Sequence, residues 1–222
     1  MVNNKKYSFS FTGASALIPE TLTVAEIYNS NHEWNQTKKK IIDENLLNKI
    51  KAVTLEREFQ EIRKRIAVLS QDQLNILCNG DREEVKVIIL LSIYKIHSFI
   101  YDFAIEVLRN KLLQFDNTIT ESDYNKFVDS KSVIHPELNK LKETTLNKIK
   151  QRTFTILEQT GLINKVKDKI LIKPVLSNAC IKAIANDDVN YLNAFFISAS
   201  EMKSLKSIHK SDYHKTGHTQ NI

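Results

Sequence analysis

The sequence predicts a mainly helical protein built from two compact modules. Only 4 Gly and 3 Pro occur in 222 residues, so the chain has few of the turn formers that an all-β fold of many short strands needs. A hydrophobic fraction of 42% is enough for one sizeable core or two small ones. The clearest helical pattern has apolar residues at successive spacings of 4, 3, 4 and 3, namely Leu55, Phe59, Ile62, Ile66 and Leu69.

The N-terminal part is predicted to be an aromatic arm followed by helices. Aromatic residues and serines alternate in Tyr7–Phe11, which favours a short edge strand or an extended arm. Asn79–Asp81 is typical of a turn, in which Gly80 supplies positive φ after one helix and Asp81 caps the next. The helical stretches predicted around this turn are 21–28, 34–47, 54–69 and a long region that ends near 114.

The C-terminal part has a different order of elements. Residues 116–120 are polar and are predicted to link two modules. Helices are predicted over 121–133, from Pro136, and over 140–159, and two β-prone runs follow at Leu162–Ile163 and Ile170–Ile172. Two helices, a longer basic helix and a two-stranded ribbon with a lysine-rich tip are the elements of a winged helix.

Three regions follow from these patterns. We expect a helical, helix-turn-helix-like domain at 1–115 and a winged-helix-like domain with a small β-hairpin at 116–200. The remaining residues, 201–222, are polar and are predicted to be a flexible tail.

The composition favours a cytoplasmic protein. The most apolar stretch, Val87–Tyr101, is interrupted by Lys95 and His97 and is shorter than the roughly 20 apolar residues of a membrane-spanning helix. It is predicted to be a buried core helix, and no secretory signal precedes it. Cys78 and Cys180 lie far apart in a chain too large to need a disulfide framework, so we expect reduced thiols.

Positive charge is concentrated in two segments. The whole chain carries a net charge of +6, which favours a polyanionic partner. Residues 139–173 contain nine Lys or Arg and three acidic residues, which gives a local net charge of +6. Residues 36–68 contain nine Lys or Arg and five acidic residues, which gives a net charge of +4. Such asymmetry is expected where Lys and Arg neutralise phosphates. The alternative is that both segments are ordinary solvated surfaces.

The candidate nucleic-acid contacts are the basic residues of these two segments. In the second module they lie on the predicted recognition helix, 140–159, and at the ribbon tip: Lys142, Lys148, Lys150, Arg152, Lys165, Lys167 and Lys169. In the first module they are Lys38, Lys39, Lys40, Arg57, Arg63, Lys64 and Arg65.

No pattern predicts catalysis. The sequence has no phosphate-binding Gly-rich loop, no Gly-x-Ser-x-Gly elbow and no Cys pair at metal spacing. His209, His214 and His218 form a histidine cluster without carboxylate partners at a persuasive spacing, so we expect solvated side chains there. We therefore expect no catalytic residue, no metal, no cofactor and no small-molecule substrate.

The order of several motifs resembles the BrxA family, the small A component of BREX phage-defence systems. The resemblance is densest from Tyr7 to Lys111 and looser after Asp116. The motifs that carry it are Tyr7–Gly13, Glu20, Ile27–Tyr28, Trp34, Asp43–Leu47, Thr54, Arg57, Glu61–Arg65, Gly80–Asp81, Phe99–Phe103 and Glu106–Arg109.

The resemblance implies a small helical protein that binds double-stranded DNA through helix-turn-helix modules. It supplies no catalytic residues. Because lysines outnumber the Arg, Asn and Gln side chains that recognise base edges, we expect little sequence preference. Two rival functions stay open: an RNA-binding protein similar to the antitermination factor NusB, and an assembly subunit that binds other BREX proteins.

Overall fold

The computed structural model describes residues 6–198 and residue 201, and it confirms that the protein is mainly helical. The helices in chain order are α1 (Ile18–Asn31), α2 (Trp34–Asp43), α3 (Ala52–Ala67), α4 (Gln71–Asn79), α5 (Arg82–Ile96), α6 (Ser98–Phe103), α7 (Arg109–Leu113), α8 (Glu121–Ile134), α9 (Glu143–Gln159) and α10 (Asn178–Asp188). Three 3-10 segments, Ser10–Gly13, Leu138–Lys140 and Val189–Phe195, and one π-helical turn, Ala104–Leu108, lie between or beside them.

The aromatic arm is buried and is not a strand. The Tyr7 backbone N–H donates to Glu137 over 2.7 Å, and its hydroxyl donates to Asp102 over 2.6 Å. Its ring stacks on that of His135, with the ring centroids 3.7 Å apart. The chain then closes a 3-10 turn at Ser10–Gly13. The arm therefore contacts residues on both sides of the predicted domain boundary.

The hydrophobic core runs through the whole described chain. Helix α5 is buried along most of its length, as predicted for Val87–Tyr101, because other helices surround it. Buried apolar residues from Tyr7 to Ile197 belong to one connected cluster. The division into domains 1–115 and 116–200 stays a prediction, since a shared core does not show whether either part folds alone.

Helix α5 is also capped as the sequence predicts. The Asp81 carboxylate accepts hydrogen bonds from the backbone N–H groups of Glu83 and Glu84. Gly80, however, has a φ of −72°, so the expectation of positive φ is wrong. Glycine is needed for close approach instead, because a Cβ there would lie 2.6 Å from the carbonyl oxygen of Ile76.

The predicted β-hairpin is wrong as a pair of strands. Within residues 6–198 no strand forms, and the two β-prone runs meet in a single antiparallel bridge between Ile163 and Leu171. The linker occupies the other side, where Thr118 forms a bridge with Ile170. The run 170–172 therefore bridges to both Ile163 and the linker, and neither bridge extends into a ladder of hydrogen bonds. The two-stranded ribbon of the predicted winged helix is therefore not found in residues 6–198.

No single described helix is long and apolar enough to cross a membrane. Two consecutive helical stretches, Arg82–Ile96 and Ser98–Leu113, are together long and apolar enough, but the chain bends by 111° between them. Cys78 and Cys180 are free in the structure, and Cys180 is buried.

Candidate nucleic-acid interface

Helix α9 has one buried face and one exposed face. Its buried residues include Ile149, Phe154 and Leu157, which pack into the core and fix the rotation of the helix. Lys148 lies on the opposite side, is exposed, and makes no ion pair within residues 6–198. Lys142, just before the helix, is exposed in the same way. The first half of α9 therefore presents unneutralised positive charge to solvent.

Lys150 and Lys169 lie on the α8 side of α9 and share one carboxylate partner. Both ammonium groups contact the carboxylate of Glu121 at the start of α8, Lys150 through Oε2 and Lys169 through Oε1 at 3.2 Å. The hydrogen bond from Lys150 is the largest cause that holds the pKa of Glu121 below its ordinary value. These two lysines are less available to a phosphate than Lys148.

The lysine-rich tip is a compact loop. The Asn164 side-chain oxygen accepts hydrogen bonds from the backbone N–H groups of Lys165, at 2.6 Å, and Ile170, at 3.0 Å. Lys169 turns the chain with a φ of 52°. The side chains of Lys165 and Lys167 are exposed and unpaired within the described chain. The predicted position of these lysines at a loop tip is correct, although no strands flank it.

The two basic segments meet at the N-terminal 3-10 turn. The Nε atom of Arg152 in α9 donates to the carbonyl oxygen of Thr12 over 3.3 Å. From the other side Arg57 in α3 lies against Gly13, where a Cβ would be 3.4 Å from the Arg57 Nε. Thr12 and Gly13 are neighbours, so side chains from α3 and α9 both lie against this one turn. Neither has a carboxylate partner in the described chain.

The prediction that Arg65 contacts nucleic acid is wrong. Its side chain is 0% exposed and bonds to Glu61 and to the carbonyl oxygens of Ser15 and Ala16. An arginine in that position stabilises the arm and cannot reach a phosphate. Arg63 is half-buried, with its guanidinium carbon 5.5 Å from the centre of the Trp34 ring.

The remaining lysines of the first basic segment lie at the surface. Lys38 pairs with Glu56 over 2.8 Å. Lys39, Lys40 and Lys64 are exposed and make no ion pair with any described residue. They extend the positive surface along α2 and α3.

Two side chains that the sequence argument missed lie on the exposed face of α9. Asn147 and Gln151 flank Lys148 and are exposed. The apolar spacing Leu146, Ile149, Ile156 could have located them, because it defines the buried face.

No group that could hold a metal ion is found among the described residues. In that part of the chain no three His, Cys, Asp or Glu side chains are grouped so as to hold a metal ion. His209, His214 and His218 lie outside the described residues, as does the predicted tail apart from Glu201.

The fold and this surface define a class: a helical protein with exposed, unpaired lysines and arginines on α3 and α9, two helices that lie against the same N-terminal turn. The chain belongs to the BrxA family, whose profile matches residues 5–188. It is 25% identical over 179 residues to the BREX protein BrxA of Bacillus cereus (strain H3081.97), covering 80% of this chain and 89% of that one.

The chain is also similar to a second BrxA protein and, in fold, to one solved structure. The BREX protein BrxA of Escherichia coli O9:H4 (strain HS) is 20% identical over 162 residues, which cover 73% of this chain and 76% of that one. The fold is similar to that of an uncharacterized protein from Magnetospirillum magneticum, with a TM-score of 0.77 and 18% identity, over 87% of this chain and 100% of the other.

Proposed function

We propose that this chain is a non-catalytic, cytoplasmic, double-stranded DNA-binding component of a BREX phage-defence system, and that it contacts mainly the phosphate backbone. One observation carries the proposal. Arg57 of α3 and Arg152 of α9 lie against neighbouring residues of one turn, with the exposed Lys148 one helical turn before Arg152.

The electrostatics of this arrangement favour an anion. Arginine stays protonated at any ordinary pH, so two arginines held against one turn, neither with a carboxylate partner in the described chain, make the local potential positive. Arginine also forms paired hydrogen bonds with phosphate. A duplex supplies one negative charge per about 1.7 Å of helix axis, which suits a surface with several unpaired cations.

Several other exposed lysines are available for phosphate contacts. Lys142 and Lys148 extend it along α9, Lys64 extends it along α3, and the loop lysines 165 and 167 add a separate exposed group. If about six phosphates are neutralised, raising the salt from about 50 to 200 mM weakens binding on the order of a thousandfold.

The test is a fluorescence-anisotropy titration with a labelled duplex of about 30 base pairs, roughly three helical turns. Wild type is compared with the double variant Arg57→Ala and Lys148→Ala at two salt concentrations. Both residues are exposed and unpaired, so their removal leaves the core intact. The slope of log affinity against log salt should fall by about two, one for each lost phosphate contact.

Lys182→Ala is the matched control. Lys182 is also exposed and unpaired, but it lies on α10, which packs mainly against α4, α5 and the 3-10 segment Val189–Phe195. It should leave the salt slope unchanged. Equal loss in all variants would indicate a diffuse charge effect.

The same titration separates the rival functions. A single-stranded or looped RNA that displaces the duplex in direct competition would favour the RNA-binding alternative. No binding at low salt, together with co-purification of other BREX proteins, would favour the assembly subunit.

A further inference from the structure

The exposed face of α9 carries a row of uncharged polar side chains. Thr144, Asn147, Gln151 and Thr155 follow one another at spacings of 3, 4 and 4, the repeat that places residues on one side of a helix. The first three are exposed and Thr155 is half-buried. The row lies opposite the buried face and starts at the open N-terminal end of the helix.

The two amides in this row have unused hydrogen-bonding capacity. Neither Asn147 nor Gln151 donates or accepts a side-chain hydrogen bond within the described residues. Other side-chain amides make hydrogen bonds within the protein. The Gln73 amide nitrogen donates to the Ala183 carbonyl over 3.0 Å, and the Gln159 side-chain oxygen accepts from the Ala16 N–H over 2.9 Å. Asn147 and Gln151 are therefore free to bind a ligand without breaking an internal bond.

We infer that α9 enters the major groove and that Asn147 and Gln151 recognise base edges there, so that binding depends on DNA sequence. This inference rests on the proposed DNA-binding function. It replaces the expectation of little sequence preference, which came from counting lysines without knowing which side chains share the exposed face.

The chemistry of the two side chains identifies the preferred base. The amides of Asn and Gln pair bidentately with adenine at N6 and N7 in the major groove. Four residues of α-helix rise about 6 Å, close to two steps of about 3.4 Å along a DNA strand. Asn147 and Gln151 therefore suit two adenines about two positions apart. Each contact favours its base by on the order of 5- to 150-fold.

The flanking charges fit this orientation. Lys148 and Arg152 lie on the side of the helix next to the amides, towards the Thr12–Gly13 turn, where phosphates bordering the groove would be contacted. Glu143, in the first turn, is the acidic residue at the exposed end. It would lie near the bases and not near the backbone, since glutamate accepts from cytosine N4 but repels phosphate.

The experiment is a selection of bound duplexes from a library with a randomised central segment, followed by sequencing. Wild type should enrich a motif that contains two adenines. Asn147→Ala and Gln151→Ala should each remove the preference at one position, by on the order of 5- to 150-fold. Binding to unselected duplex should change little. Lys148→Ala should weaken binding to every sequence and leave the motif unchanged.

Asn186→Ala is the matched control, since Asn186 is an exposed amide on α10. Salt-sensitive binding by wild type without any enriched motif would overturn the inference and leave the proposed function intact. An enriched motif unchanged by both α9 amide variants would also overturn it. Absence of binding to any duplex would instead refute the proposed function. Alanine favours helix at exposed positions, so these variants are expected to fold.

Discussion

The Nε2 atom of His97 lies 2.6 Å from the Oε1 atom of Glu61 inside the protein. The same carboxylate accepts from the Arg65 guanidinium, which also donates to the carbonyl oxygens of Ser15 and Ala16. His97 stands where α5 ends and the chain bends into α6. One carboxylate thus links α3 to the α5–α6 bend and, through Arg65, to the segment that follows the Ser10–Gly13 turn.

We predict that Glu61→Gln lowers the free energy of unfolding by about 3–5 kcal/mol, because the buried Arg65 charge loses its counter-charge. Urea denaturation at pH 7 measures this. Glu83→Gln is the control, since the Glu83 side chain is 67% exposed and pairs with Lys86 at the surface. Its effect should stay within about 1 kcal/mol. Equal effects of the two changes would mean that the buried network contributes little.

The same carboxylate makes stability depend on pH. Burial alone would raise the pKa of Glu61, but the hydrogen bond to His97 and the charge of Arg65 outweigh it and lower that pKa to about 2. A group whose pKa is lower in the folded state contributes stability above its unfolded pKa, about 4.3, and loses it as the pH falls towards the folded value. The wild-type free energy of unfolding should therefore fall more steeply than that of Glu61→Gln below about pH 4.5. Parallel curves would contradict this.

Helical periodicity predicted the core better than it predicted the surface. The apolar spacing placed a helix over 54–69, and α3 spans Ala52–Ala67 with Leu55, Phe59 and Ile62 buried. The same helix showed the limit of counting charge, because Arg65 is sequestered by carbonyl groups of the arm. Only the tertiary position of the arm decides which cations stay free.

Local β-propensity was a poorer guide. The runs at 162–163 and 170–172 reverse the chain as predicted, but the second run also bridges to the linker and neither run extends into a strand. The position of Thr118 beside Ile170 depends on the linker, which no local pattern specifies. Likewise, Arg57 and Arg152 lie against the same turn although they are almost a hundred positions apart in the sequence. Sequence periodicity does not predict contacts over that separation.

We predict that Phe115→Gly stabilises the protein by about 0.5–1 kcal/mol. Phe115 has a φ of 58° and is 95% exposed. It follows α7 at the place where helices commonly end on a left-handed glycine, with its N–H bonded to the Leu112 carbonyl over 3.1 Å. Glycine relieves a cost of roughly 1–2 kcal/mol and loses part of that gain to its larger unfolded-state entropy. Thermal and urea unfolding would measure the change.

Phe196→Gly is the control, and its effect should have the opposite sign. Phe196 has a similar φ of 64° but is only 7% exposed. Removing its ring should cost about 3–5 kcal/mol of core packing, which exceeds the relief of backbone strain. A loss of stability in both variants would show that Phe115 is held by contacts beyond its backbone.

We predict that Glu121→Gln strengthens DNA binding and increases its salt dependence. Glu121 is 54% exposed and pairs with both Lys150 and Lys169. The amide removes one negative charge and releases Lys150 and Lys169 on the α8 side of α9, so the slope of log affinity against log salt should rise by about one to two. Exposed ion pairs contribute at most about 1 kcal/mol to stability, so the fold should persist. Glu83→Gln, which releases only Lys86 on α5, should leave that slope unchanged. If Glu121→Gln binds no more tightly than wild type at low salt, the α8–α9 side of the surface does not face the DNA, and the contacts lie on the side of α9 that packs against the Thr12–Gly13 turn.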